Sequence, residues 1–145
     1  MTRYRETLRF MVHQWECDEF GHVNVRAYMG WVADAALSLL SEFGFDHAAA
    51  SRQGLGFAGV RAEVDFLREL KGGDVVRMET AIIAASDKKF TFQHRLLRIG
   101  DEAEILAAKI IVICLDLAAR RSRPFPEAVR ALVAAHADDD GNARN

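Results

Sequence analysis

Residues 24–43, NVRAYMGWVADAALSLLSEF, decide the fold. Tyr28, Trp31, Val32, Ala35, Leu39 and Phe43 recur at steps of three and four, the spacing of one face of an α-helix about five turns long. Asn24 stands where an N-cap is needed, and Gly44 where a left-handed residue ends the last turn. The polar stripe of Gly30, Asp34, Ser38, Ser41 and Glu42 is narrow, because Met29, Ala33, Ala36, Leu37 and Leu40 make the other faces apolar too. Such a helix calls for burial on most of its circumference, and the rest of the chain has to supply the wrapping.

On either side the period changes to two. Upstream, in residues 5–15, Leu8, Phe10 and Val12 alternate with Arg9, Met11 and His13, which predicts a strand. Downstream, a glycine-rich loop (Gly54, Gly56, Gly59) leads to Val60, Ala62, Val64 and Phe66, alternating with Arg61, Glu63 and Asp65. Gly72 and Gly73 make a turn before Val76, Met78, Thr80 and Ile82. Residues 86–88 make another before Phe90, Phe92, His94 and Leu96. The last strand, residues 104–117, is apolar on both faces at 110–115, as a central strand would be. Pro124 and Pro126 end it, and a short helix from Pro126 to about His136 follows. From Ala137 on, Asp138, Asp139 and Asp140 predict a disordered acidic tail, so residues 1–136 form the single expected domain and 137–145 the tail. The order β-α-β-β-β-β with short hairpins gives an α+β fold, an antiparallel five-stranded sheet wrapped around one long central helix.

Composition narrows the function classes. The 145 residues are 50% hydrophobic and 28% charged, which suits one globular domain. A net charge of −2 lacks the basic field of a nucleic-acid binder. The apolar run at 110–115 lies between Lys109 and Asp116, too short for a membrane span. Arg3, Arg5, Glu6 and Arg9 interrupt the start, so no secretory segment can be drawn and a cytoplasmic location is expected. Cys17 and Cys114 form no C-x-x-C, in keeping with a reducing compartment. His13, His22, His47, His94 and His136 show no ligand spacing, so no metal is expected.

The chemistry concentrates in residues 15–28, WECDEFGHVNVRAY, where three carboxylates, a thiol and a histidine precede a helix N-terminus. Free amides there, at the positive end of the macrodipole, can stabilise a polarised carbonyl oxygen, and a nearby carboxylate can attack that carbonyl or deprotonate water. On spacing alone, Asp18 and Glu19 fit an ordinary polar turn before the cap better than a catalytic pair. Cys17 fits a small buried hydrophobe as well as a thiolate nucleophile, and Glu63 is a reserve carboxylate.

The run Asp18-x-x-Gly21-His22-Val23-Asn24, then Tyr28, Phe66-Leu67-Arg68 and Gly73-Asp74, resembles the hotdog-fold acyl-CoA thioesterases of the 4-hydroxybenzoyl-CoA thioesterase type. Glu16 and Val25 stand where many members have Asp and a second Asn. The resemblance implies hydrolysis of an acyl-CoA thioester to free acid and CoA, without a cofactor. Asp18 takes the role of nucleophile or general base, and the Val25 amide, at a helix start capped by Asn24, is the oxyanion donor. His22 either shuttles a proton or orients the loop. Tyr28 and Trp31 are core residues that can also line an acyl pocket, with Phe57 beside them. Arg68, Lys71, Arg121 and Arg123, with Arg120, are candidates for the CoA phosphates. A homodimer or homotetramer with sites between subunits is implied. The alternative is a non-catalytic hotdog module that binds an acyl thioester; a hydratase on the same fold lacks its His-plus-Pro-rich signature here.

Overall fold

The computed structural model describes residues 2–142, with backbone alone for 138–142. In chain order the elements are β1 (Arg5–Met11), α1 (Val25–Glu42), α2 (His47–Arg52), β2 (Leu55–Phe66), β3 (Val75–Ala85), β4 (Lys89–Arg98), β5 (Glu104–Asp116), β6 (Arg121–Ser122) and α3 (Glu127–Asn142). The strands form one antiparallel sheet in the order β1-β3-β4-β5-β2, with β6 paired to the end of β5. Tight hairpins join β3, β4 and β5, and the sheet curls around α1, as the alternating strands and all-round apolar helix predict.

The curl has a physical cause in the inner face. Met78 pairs with Leu96 and Ile82 with Phe92 across β3 and β4, and all four are buried against α1. The helix answers with Trp31, Val32, Ala35, Leu39 and Leu40, also buried. Each such side chain contributes about 1.5–3 kcal/mol when removed from water, so wrapping the sheet on the helix outweighs leaving it flat and half-solvated. One polar chain crosses this core. A bulge in β1 between Glu6 and Leu8 takes Thr7 out of the ladder. Its carbonyl accepts from Ser38 Oγ at 3.0 Å, and its hydroxyl lies 2.9 Å from that of Thr80. Thr80 Oγ1 is in turn 2.9 Å from His94 Nδ1. Among the described residues His94 Nε2 has no hydrogen-bond partner in its buried site, and burial pulls the ring's pKa down to about 4. Beneath the far end of α1, Phe125 stacks on Phe90 at 3.9 Å and meets Phe45 edge-on at 5.9 Å, closing that end of the wrap.

The structure departs from the sequence reading in five places. β1 stops at Met11, and Gln14–Glu16 form a 3-10 turn, because Glu16 reaches back to accept from the His13 amide at 2.8 Å. The expected loop at 46–56 contains α2, capped by Asp46, whose side chain accepts from Ala49 N at 2.8 Å. A sixth strand, β6, follows β5. α3 runs past His136 to Asn142: no proline interrupts it, and the tail expected from Ala137 is helical backbone up to that point. Residues 143–145 of the expected tail lie outside the described residues. Finally, α1 is not buried all round. Val25 is 58% and Leu37 43% exposed, and Ala33 is exposed with them, because β2 forms the sheet edge and does not close over that side. Among the described residues, no helix is long and apolar enough to cross a membrane.

Candidate active site

The loop before α1 is closed by its own backbone. Cys17 and Val23 form an antiparallel bridge, the Asp18 amide donates to His22 O at 2.8 Å, and Gly21 N donates to Asp18 O at 3.1 Å. Gly21 sits at φ +85°, a left-handed turn that a side chain would strain. Within it, Asp18 Oδ1 accepts from Phe20 N at 2.9 Å and from His22 N at 3.4 Å. Asp18 Oδ2 takes part in neither bond. The Cys17 thiol lies 3.9 Å from His13 O and packs, partly buried, against the core.

The helix start is built by Asn24. Its amide donates to Glu16 O at 2.8 Å, its side chain accepts from Arg26 N at 2.9 Å, and its carbonyl accepts from Ala27 N at 2.9 Å. The Val25 N–H takes part in none of the described hydrogen bonds. It is therefore an open donor at the positive end of an 18-residue helix.

Val25 borders a cleft of about 270 Å³ lined also by His22, Tyr28, Phe66, Arg68 and Glu69, among others. His22 Nε2 lies 3.3 Å from Glu69 Oε2, and both residues line the cleft. Tyr28 packs on Phe66 at 5.4 Å. Burial raises the Tyr28 pKa, so the phenol stays protonated near neutral pH.

Of the residues singled out from sequence, the structure brings His22, Val25, Tyr28 and Arg68 to this cleft. Asn24 builds the helix start behind it. Asp18 stands in the adjoining loop and is not part of the lining. Trp31 packs on Phe10 at 4.7 Å, inside the core. Lys71 is exposed, and its amide donates to Asp74 Oδ2 at 2.9 Å. Phe57 lines a separate cavity beside the second half of α1. Arg121 and Arg123 lie at the Leu55 end of β2, a 12-residue strand whose other end carries Phe66, so about 36 Å of strand separates them from the cleft within one chain. Arg123 is paired there with Asp116 at 3.5 Å. Glu63 is ion-paired with Arg61 at 2.9 Å on the outer edge. Glu69 escaped the sequence reading: it follows a strand by three residues, and only the fold sets it against His22. Among the described residues, no group of three His, Cys, Asp or Glu side chains is placed to hold a metal ion.

Comparison with known proteins agrees with this architecture. The chain is 27% identical over 130 residues to the chloroplastic acyl-acyl carrier protein thioesterase ATL3 of Arabidopsis thaliana, covering 90% of this chain and 67% of that one. The ATL2 protein of the same plant is 26% identical over 123 residues, 85% of this chain and 65% of that one. The chain thus spans about two thirds of the length of these relatives. Among solved structures, a Staphylococcus aureus protein in complex with CoA superposes with a TM-score of 0.87 at 17% identity, over 95% of this chain and 86% of that one. A 1,4-dihydroxy-2-naphthoyl-CoA thioesterase from Synechocystis gives 0.81 at 19% identity, over 91% and 96%. At these identities the likeness is one of fold, the hotdog wrap of sheet on helix. The Thioesterase-like superfamily model matches residues 12–133, from just after β1 into the first half of α3, and the chain belongs to that family.

Proposed function

We propose that this thioester hydrolase cleaves acyl-CoA to a free acid and CoA at the start of α1. The observation that carries the reading is the open amide of Val25, a residue that lines a cleft at the positive end of the helix. A thioester carbonyl set on that N–H gains most stabilisation when its oxygen becomes negative, which favours the tetrahedral transition state over the ground state.

Asp18 supplies the carboxylate by one of two courses. As nucleophile, it bonds to the carbonyl carbon, the C–S bond breaks, the thiolate leaves, and water then hydrolyses the anhydride. As general base, it takes a proton from water while the water oxygen attacks. Either way one water is consumed, and acid and thiol are released. The Asp18–Phe20 and Asp18–His22 bonds orient the carboxylate, and Oδ2 is the oxygen left for chemistry. Arg68 at the cleft rim, with Lys71 nearby, is positioned for the phosphates of the carrier.

Because Asp18 stands outside the single-chain lining, its role carries a second element: a partner subunit completes the wall, in a homodimer or an assembly of dimers. Antiparallel pairing of two β2 edges across a two-fold axis sets the Leu55 end of one against the Phe66 end of the other, bringing the partner's arginine pair of β6 toward the cleft.

The test is thiol release from a panel of acyl-CoA and acyl-carrier-protein thioesters. Release from acyl-CoA supports the reading; release from the carrier protein alone moves the substrate to that carrier. Binding without release supports the second reading, a non-catalytic hotdog module, which the capture of Asp18 Oδ1 by its own turn favours.

A further inference from the structure

An open side of α1 runs along the helix from the cleft end toward Leu40. Val25 borders the cleft, and Met29, Ala33, Ala36 and Leu40 follow at steps of three and four on one stripe. Two cavities lie along that stripe, one of about 390 Å³ between Met29 and β2 and one of about 190 Å³ between Leu40 and Phe57. They share Ala33, Gly59 and Ile110, so they form one groove between the helix and the β2 edge. Among the described residues, Arg61 is its one charged side chain, with its guanidinium paired with Glu63 at 2.9 Å, and no hydroxyl, amide, imidazole or carboxylate side chain lines either cavity.

A hydroxylated aromatic acyl group entering this groove would lose water from its hydroxyls and find among the side chains only the Arg61 guanidinium, already paired with Glu63, to replace it. A straight alkyl chain meets no such cost and gains from burial along its whole length. The far end is firm. Phe57 meets Phe45 edge-on at 4.9 Å, and Phe45 is itself buried against Phe125. Between Val25 and Leu37 the helix advances about 18 Å. An extended chain of single bonds advances about 1.2 Å per bond, so roughly 15 bonds, a chain of about 16 carbons, fill that distance.

We infer that the acyl group is a linear aliphatic chain laid along α1, and that Phe57, backed by Phe45, is the residue that sets its greatest length. The inference rests on the thioesterase reading above and names the substrate class within it.

The test compares kcat/KM for butanoyl-, octanoyl-, tetradecanoyl-, octadecanoyl- and hydroxybenzoyl-CoA. The expected result is a rise of about ten-fold or more from butanoyl to tetradecanoyl, a fall at octadecanoyl, and little turnover of the hydroxybenzoyl thioester. Phe57→Ala, or the gentler Phe57→Leu if the first does not fold, should move the optimum to longer chains. Ala33→Phe should lower the tetradecanoyl-to-butanoyl ratio. A best substrate that is hydroxyaryl or short, or an optimum unmoved in a folded Phe57 variant, overturns the inference. Dissociation of the oligomer by Ala33→Phe with the length profile unchanged also overturns it, since a second copy then fills the groove. Should no thioester be hydrolysed, calorimetry with non-hydrolysable S-alkyl-CoA thioethers keeps the two readings apart. Affinity rising with alkyl length and shifted by Phe57→Leu supports the groove while the hydrolytic reading falls, and affinity indifferent to length overturns the groove as well.

Discussion

Asp18 divides its two oxygens between structure and chemistry. Oδ1 closes the turn to Phe20 and His22, and an asparagine carbonyl in its place can accept the same two bonds. Asp18→Asn should therefore fold with an unchanged melting temperature and lose about two or more orders of magnitude in kcat, as removal of a nucleophile or general base does. A folded variant keeping more than a third of the wild-type rate would remove Asp18 from the mechanism. His94 makes a prediction of another kind. Its neutral ring is bonded to Thr80, and Nε2 is sealed in the core, so the folded state resists protonation until about pH 4 while the unfolded chain takes up the proton near 6.5. The depressed pKa means that stability is fully present above pH 6.5 and is lost as pH falls toward 4, by up to about 3 kcal/mol. Urea denaturation at pH 7.5, 5.5 and 4.5 measures this, and a His94→Gln variant should show a flatter pH dependence over that interval.

At the scale of elements, α1 carries both the core and the site, and its first turn links them. The Asn24 side chain satisfies Arg26 N and leaves Val25 N–H open, so Asn24→Ala should cost about 1 kcal/mol in denaturant unfolding and also lower kcat, as the frayed turn misplaces the donor. Asn24→Ser, which still caps, should restore most of both; equal stability in Asn24→Ala and wild type would show that the cap does not hold the turn. The helix and the five long strands were legible in the sequence because Tyr28–Phe43 and the alternations around Val64, Met78 and Phe92 are periodic. The six-residue α2 was not, because a run of alanines between Asp46 and Gly54 carries no apolar period. Nor was the end of β1: Val12 continues its alternation, and the Glu16-to-His13 bond that turns the chain is a side-chain event. In the site, the loop from Asp18 to Asn24 could be read from local residue types. The His22–Glu69 pair could not, since it depends on where the chain returns after β2.

The whole molecule leaves an uncovered side. β2 ends the sheet with Val60 at 55% and Phe66 at 50% exposure, next to the exposed Leu37 and Ala33 of α1. An unpaired edge backed by apolar surface is what soluble proteins otherwise blunt or cover. A two-fold copy pairing β2 with β2 would satisfy the edge and roof the groove, and light scattering should give at least about twice the 16.2 kDa of one chain. The same geometry predicts complementation. In antiparallel pairing, each cleft joins Asp18 and Arg68 of one chain to the β6 end of the other. Asp18→Asn removes the carboxylate from one cleft, and charge reversal at Arg121 and Arg123 weakens carrier binding in the neighbouring one. Mixed and reassembled at equal amounts, these two weakened proteins form hybrids with one intact cleft and one doubly altered. At low acyl-CoA concentration, activity should rise to about a quarter of wild type, the share of intact clefts in random dimers. Mixing without a rise would place each site within a single chain, and a fully active monomer would leave the β2 edge without a role in catalysis.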